Sequence, residues 1–121
     1  MEDIYSFTVD AETFEMVVQG KKDIQLTINS PKRKVYAVGN RISFIKALEE
    51  GETEKQVQNA DIENLLYFGD IMEAVETLGK ERCGFKPNST FDKASDTFLA
   101  GESVESMEKY GLVALVFKKV D

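Results

Sequence analysis

The stretch that decides the fold is Gly20–Asn29, GKKDIQLTIN. It begins at a glycine suited to ending an amphipathic helix, passes two lysines, and enters a run in which Ile24, Leu26 and Ile28 alternate with Asp23, Gln25 and Thr27. Period-2 alternation of this kind predicts a strand with one face turned to a core. Gln25 and Thr27 then share the opposite face, which is expected to form a polar shelf with Lys21 and Lys22 at its entrance. Backbone freedom at Gly20 and local positive charge suit such a shelf to an anionic or polar ligand.

Upstream, Ile4 to Val9 reads as a first strand with Tyr5, Phe7 and Val9 on one side. Asp10 is suited to cap a helix from Ala11 to about Gln19, whose buried stripe is Phe14, Val17 and Val18. Downstream, Ser30-Pro31-Lys32-Arg33-Lys34 is a basic turn. Gly39-Asn40 leads into a third strand, Arg41 to Ala47, and Glu49 to Glu52 forms a hairpin tip. A weaker fourth strand spans Lys55 to Phe68. Its middle, Gln58 to Asn64, has poor strand composition and predicts a bulge or bend. A second helix covers Gly69 to Leu78, and Lys80 to Asn88 is loop. Ser89 starts a third helix to about Ala100, and Glu102 to Lys109 adds a further helical turn or two. Leu112 to Val120 closes the chain with an apolar strand, expected to be central. The pattern is that of an α+β domain whose first and last strands sit within the sheet.

At 121 residues the chain fits one domain. No segment approaches the roughly 18 apolar residues of a membrane span, and the acidic start MEDIYSFTVD is unlike a signal peptide, so a cytoplasmic location is expected. With no histidine and a single cysteine, Cys83, the usual zinc sites and histidine-based catalytic triads are excluded. Neither a metal nor a cofactor is expected.

Net charge is −7, but it is divided unevenly. Residues 1–46 carry seven basic and six acidic groups, a net of +1, and residues 47–121 carry eight basic and sixteen acidic, a net of −8. Between Gly20 and Lys46 seven cations stand against Asp23 alone. A field of this sign can guide an anionic ligand, and it makes Lys34 and Arg41 candidate contacts beside Lys21 and Lys22. The acidic second part suits a basic protein partner instead.

The run Glu12-Thr13-Phe14-Glu15-Met16-Val17-Val18-Gln19-Gly20-Lys21-Lys22, the later Val38-Gly39-Asn40-Arg41-Ile42-Ser43-Phe44, and Tyr110-Gly111 before the apolar strand Leu112–Phe117 together resemble an ASCH domain of the PUA-like superfamily. That family's pattern is Gly-x-Lys-x-x-Glu-x-Arg, followed by a Val-Gly-Asp turn. Gly20 and Lys22 match, whereas Gln25, Thr27 and Asn40 stand at the Glu, Arg and Asp positions.

The resemblance implies a small mixed PUA-like β-barrel of five to six strands with about three helices. It also implies a cleft beside the Gly-x-Lys strand that takes RNA or a nucleotide-like small molecule. Lys21, Lys22, Gln25, Thr27, Lys34, Arg41 and Tyr110 are its candidate ligand-binding residues, Tyr110 as a stacking surface. Related small proteins hydrolyse N4-acylated cytidine with a lysine, a threonine and a glutamate. Lys22 matches the lysine, but the threonine position is Gln25, which has no nucleophilic oxygen, and Glu81 is the candidate for the glutamate. Binding without assigned catalysis is therefore the first expectation. An amidohydrolase, or an interaction module whose cleft has degenerated, is the alternative. Cys83 is expected to be inert and Phe68 to be core.

Overall fold

The computed structural model describes residues 5–29, 36–85 and 104–120. Five strands, β1 (Tyr5–Val9), β2 (Ile24–Ile28), β3 (Arg41–Lys46), β4 (Val57–Phe68) and β5 (Leu112–Val120), form one mixed sheet in the order β1-β3-β4-β5-β2. The sheet curls into a half-barrel carrying three helices, α1 (Ala11–Val18), α2 (Ile71–Leu78) and α3 (Val104–Tyr110). The α+β, barrel-like architecture expected of the sequence is the one observed.

Alternation along β5 explains why both sides of the sheet are covered. Leu112 and Ala114 join Ile24, Leu26, Ile28, Ile71, Ala74 and Val75 in a core on the α2 side. Val113, Leu115 and Phe117 join Phe14, Val17, Ile42, Phe44 and Ile62 on the α1 side. A strand apolar on both faces can be satisfied only between two neighbours and two layers, and β5 lies between β4 and β2. The ring centroids of Phe44 lie 5.8 Å from Phe7 and 4.8 Å from Phe117, which links the α1-side core from β1 through β3 to β5.

β1 does not share that position. It pairs with β3 alone, in parallel, and lies at the edge of the sheet. The expectation that both terminal strands sit inside the sheet therefore holds only for β5. Ser6 and Thr8 are exposed while Tyr5, Phe7 and Val9 are half-buried, so β1 buries one face and has no second apolar face to bring inside.

Local signals place the other elements. Asp10 caps α1, its carboxylate accepting from Thr13 N at 2.7 Å. At the far end Gly20 turns with φ of 79°, Gly20 N donates to the Val17 carbonyl and Lys21 N to the Met16 carbonyl. This paired closure is a Schellman motif, and it delivers the chain straight into β2. In β4 the register slips between Ile62 and Asn64, a bulge inside the stretch whose composition predicted one. The basic turn including Lys34, and the helix expected over Ser89–Ala100, lie outside the described residues.

Candidate functional site

Lys22 follows the α1 closure by two residues and is 4 % exposed. Its backbone N–H donates to the Met16 carbonyl and its Nζ to the carbonyl of Cys83 at 2.9 Å. Burial pulls its pKa from the ordinary 10.5 to about 8, while Cys83 and Asp23 act in the opposite direction. The turn that receives it, residues 80–84, is fastened to the start of β2. Asp23 N and Ile24 N both donate to the Arg82 carbonyl, and the Arg82 guanidinium binds Asp23 at 2.9 and 3.2 Å.

Gly84 has φ of 86°, and a Cβ there would stand 2.6 Å from Lys22 Cδ and Nζ, so any other residue would oblige the lysine to move. The Cys83 thiol beside it is buried, and desolvation raises its pKa to about 11. It is protonated at neutral pH, in line with an inert thiol.

The other candidates separate. Gln25 and Thr27 stand opposite Leu115 and Val113 of β5, on the α1 side, whereas Lys22 reaches Cys83 and Gly84 on the α2 side. The polar shelf is not open either. Thr27 is 2 % exposed, and Gln25 is half-buried with its Oε1 meeting no donor among the described residues. Gln25 Nε2 donates to the Leu26 carbonyl at 3.2 Å.

Arg41 lies on β3, with β4 and β5 between it and β2, and its guanidinium is paired with Asp61. Tyr110 packs at the margin of the α2-side core beside β5's first residues, with Lys109 Nζ 5.2 Å from its ring centroid. Phe68 packs against that same core, and Tyr67 is 61 % exposed. Lys21 is exposed and lines a cleft of about 390 Å³ with Glu12, Glu15, Met16, Gln19 and Glu81.

A second cleft, of about 440 Å³, lies where α1, β2, β4 and β5 meet. Val17, Gly20, Lys22, Asp23, Glu63, Phe117, Lys118 and Lys119 line it. Lys118 and Lys119 belong to the acidic half of the sequence. They arrive here because β5 runs antiparallel to β2, with Val116 opposite Ile24. Lys119 Nζ also donates to the Val18 carbonyl at the end of α1. The sequence signal available for them was the Lys-Lys pair ending an apolar strand. No group of three or more Cys, Asp or Glu side chains suited to a metal ion occurs among the described residues.

Solved structures share this fold. The hypothetical protein PH0355 superposes with a TM-score of 0.74 at 20% identity, covering 98% of this chain and 100% of that one. Protein PF0455 of Pyrococcus furiosus gives 0.70 at 20% identity, covering 98% and 99%. ASCH from Zymomonas mobilis gives 0.60 at 13% identity, covering 95% of this chain and 66% of that chain. The fold is ASCH-like. No protein-family profile and no curated protein matches the sequence, so this likeness is carried by structure. The Gly20–Lys22 turn lies beside the 440 Å³ cleft, while Gln25 and Thr27 pair across the ladder with Leu115 and Val113. No helix among the described residues is long and apolar enough to cross a membrane.

Proposed function

We propose that the chain binds RNA or a nucleotide-like small molecule in the 440 Å³ cleft at the α1–β2 junction. The observation that carries this reading is the pair Lys118 and Lys119 on one concavity of ligand size, with Lys22 in its lining but its Nζ engaged by the Cys83 carbonyl. Asp23 offsets little of that charge, because Arg82 already holds both of its oxygens. Phosphate oxygens suit lysine ammonium groups, which supply a point charge and several donors.

The test is a titration with short RNA or mononucleotides followed by backbone amide shifts. Shifts centred on residues 17–23 and 117–119 are expected. Shifts confined to residues 70–110 overturn the proposal.

A further inference from the structure

The bulge in β4 gives this cleft a feature that the lysines do not explain. The ladder pairs Ile62 with Phe117 and Asn64 with Val116, leaving Glu63 as the extra residue. A bulge of this kind redirects a side chain out of the regular ladder. Here the redirected residue is an exposed glutamate that lines the cleft beside Lys118 and Lys119. The two carboxylates of the cleft differ. Asp23 is held by Arg82, whereas the Glu63 carboxylate makes no hydrogen bond or ion pair among the described residues. An anion-binding concavity that also presents an unengaged carboxylate fits a ligand with an anionic group and hydrogen-bond donors on the same molecule.

A carboxylate accepts hydrogen bonds only, and its two oxygens suit a pair of adjacent N–H groups. Among the bases, guanine presents two adjacent donors, N1–H and the N2 amino group, on one edge. Adenine and cytosine place a single amino donor next to an acceptor nitrogen, and uracil sets one N–H between two carbonyls, which repel a carboxylate. We propose that Glu63 makes the cleft selective for guanine nucleotides, its carboxylate reading the base edge while Lys118 and Lys119 hold the phosphate. The inference rests on the nucleotide-binding reading above and names its ligand class. Lys119 keeps donors for this role, since one of its three N–H groups serves Val18.

Calorimetric titration of the full chain with guanosine and uridine monophosphates tests it, repeated with Glu63→Gln and with Lys118→Ala. Guanosine monophosphate is expected to bind about 10-fold more tightly than uridine monophosphate, a typical return for a bidentate base contact. Glu63→Gln should bring the two within about 2-fold by weakening the guanine ligand alone. Lys118→Ala should weaken both equally. Equal affinities in the unaltered protein, or a guanine preference that survives Glu63→Gln, overturn the role of Glu63 and leave nucleotide binding standing. Absence of binding to either nucleotide overturns both proposals.

Discussion

Lys22 and Thr27 stand five residues apart on one short segment and are both nearly sealed from water, yet they serve opposite sides of the sheet. On the α2 side a charged amine is accommodated because a turn has been shaped around it. The Cys83 carbonyl accepts its N–H hydrogen bond, Gly84 vacates its path, and the Arg82–Asp23 pair holds the turn in place. On the α1 side Thr27 is enclosed within the ladder, its neighbours across it being Val113 and, beyond it, Tyr67 of β4. A buried polar group therefore reports on its surroundings more than on its own chemistry.

The largest consequence concerns catalysis. Joint action of Lys22 and Thr27 on one bond requires both within reach of the same atom, and the sheet separates them. Hydrolysis of N4-acylated cytidine is expected to lie several orders of magnitude below that of an active amidohydrolase. Comparable turnover that disappears in Lys22→Ala would break the contrast between the two faces.

Next in size is the double change Gln25→Glu with Thr27→Arg, which installs the charged pair of the ASCH pattern. Were the α1 side of β2 an open shelf, the change would cost less than about 1 kcal/mol. With Thr27 buried, it should destabilise by roughly 3 to 5 kcal/mol, the cost of an inadequately paired internal charge. Denaturant titration decides between these outcomes.

Gly84→Ala strikes the α2 side. A left-handed backbone angle and a 2.6 Å approach to Lys22 act together, and a loss of about 2 to 3 kcal/mol is expected. Gly20→Ala, whose Cβ meets nothing within 4 Å, should lose only about 1 kcal/mol through its backbone angle. Equal losses at the two glycines would show that the lysine yields easily.

The smallest effect is a pH dependence. Lys22 has a folded-state pKa of about 8, below its ordinary 10.5, so between these values the unfolded chain holds a proton that the folded chain has released. Stability then rises with pH from about 8 upward. Cys83 acts in the opposite sense, because its folded-state value of about 11 exceeds 9.0, but its contribution begins only near pH 9. From pH 8 to 9 stability should therefore climb by about 1 kcal/mol. Lys22→Met should flatten that climb, as followed by urea midpoints at closely spaced pH values.

The sequence alone determined the elements that depend on neighbours in the chain. Asp10 and Gly20 bound α1 through side-chain capping and a left-handed turn, signals confined to a few consecutive residues. Weak strand composition before Asn64 marked the bulge, and the unbroken apolar run from Leu112 marked the strand buried on both faces. The lysine of the Gly-x-Lys turn was legible in the same way.

Only the tertiary structure decided what stands around that lysine. Alternation says that Gln25 and Thr27 share a face, but not whether that face is open, because covering it depends on where β5 and α1 pack. Lys118, Lys119 and Glu63 reach the cleft through the antiparallel β2–β5 pairing and a one-residue slip in β4, and the Arg82 turn reaches the start of β2 from beyond α2. These contacts join residues some forty to a hundred positions apart. Their selection rests on how the sheet curls and which layers it can bury, a property of the whole chain that no local pattern encodes.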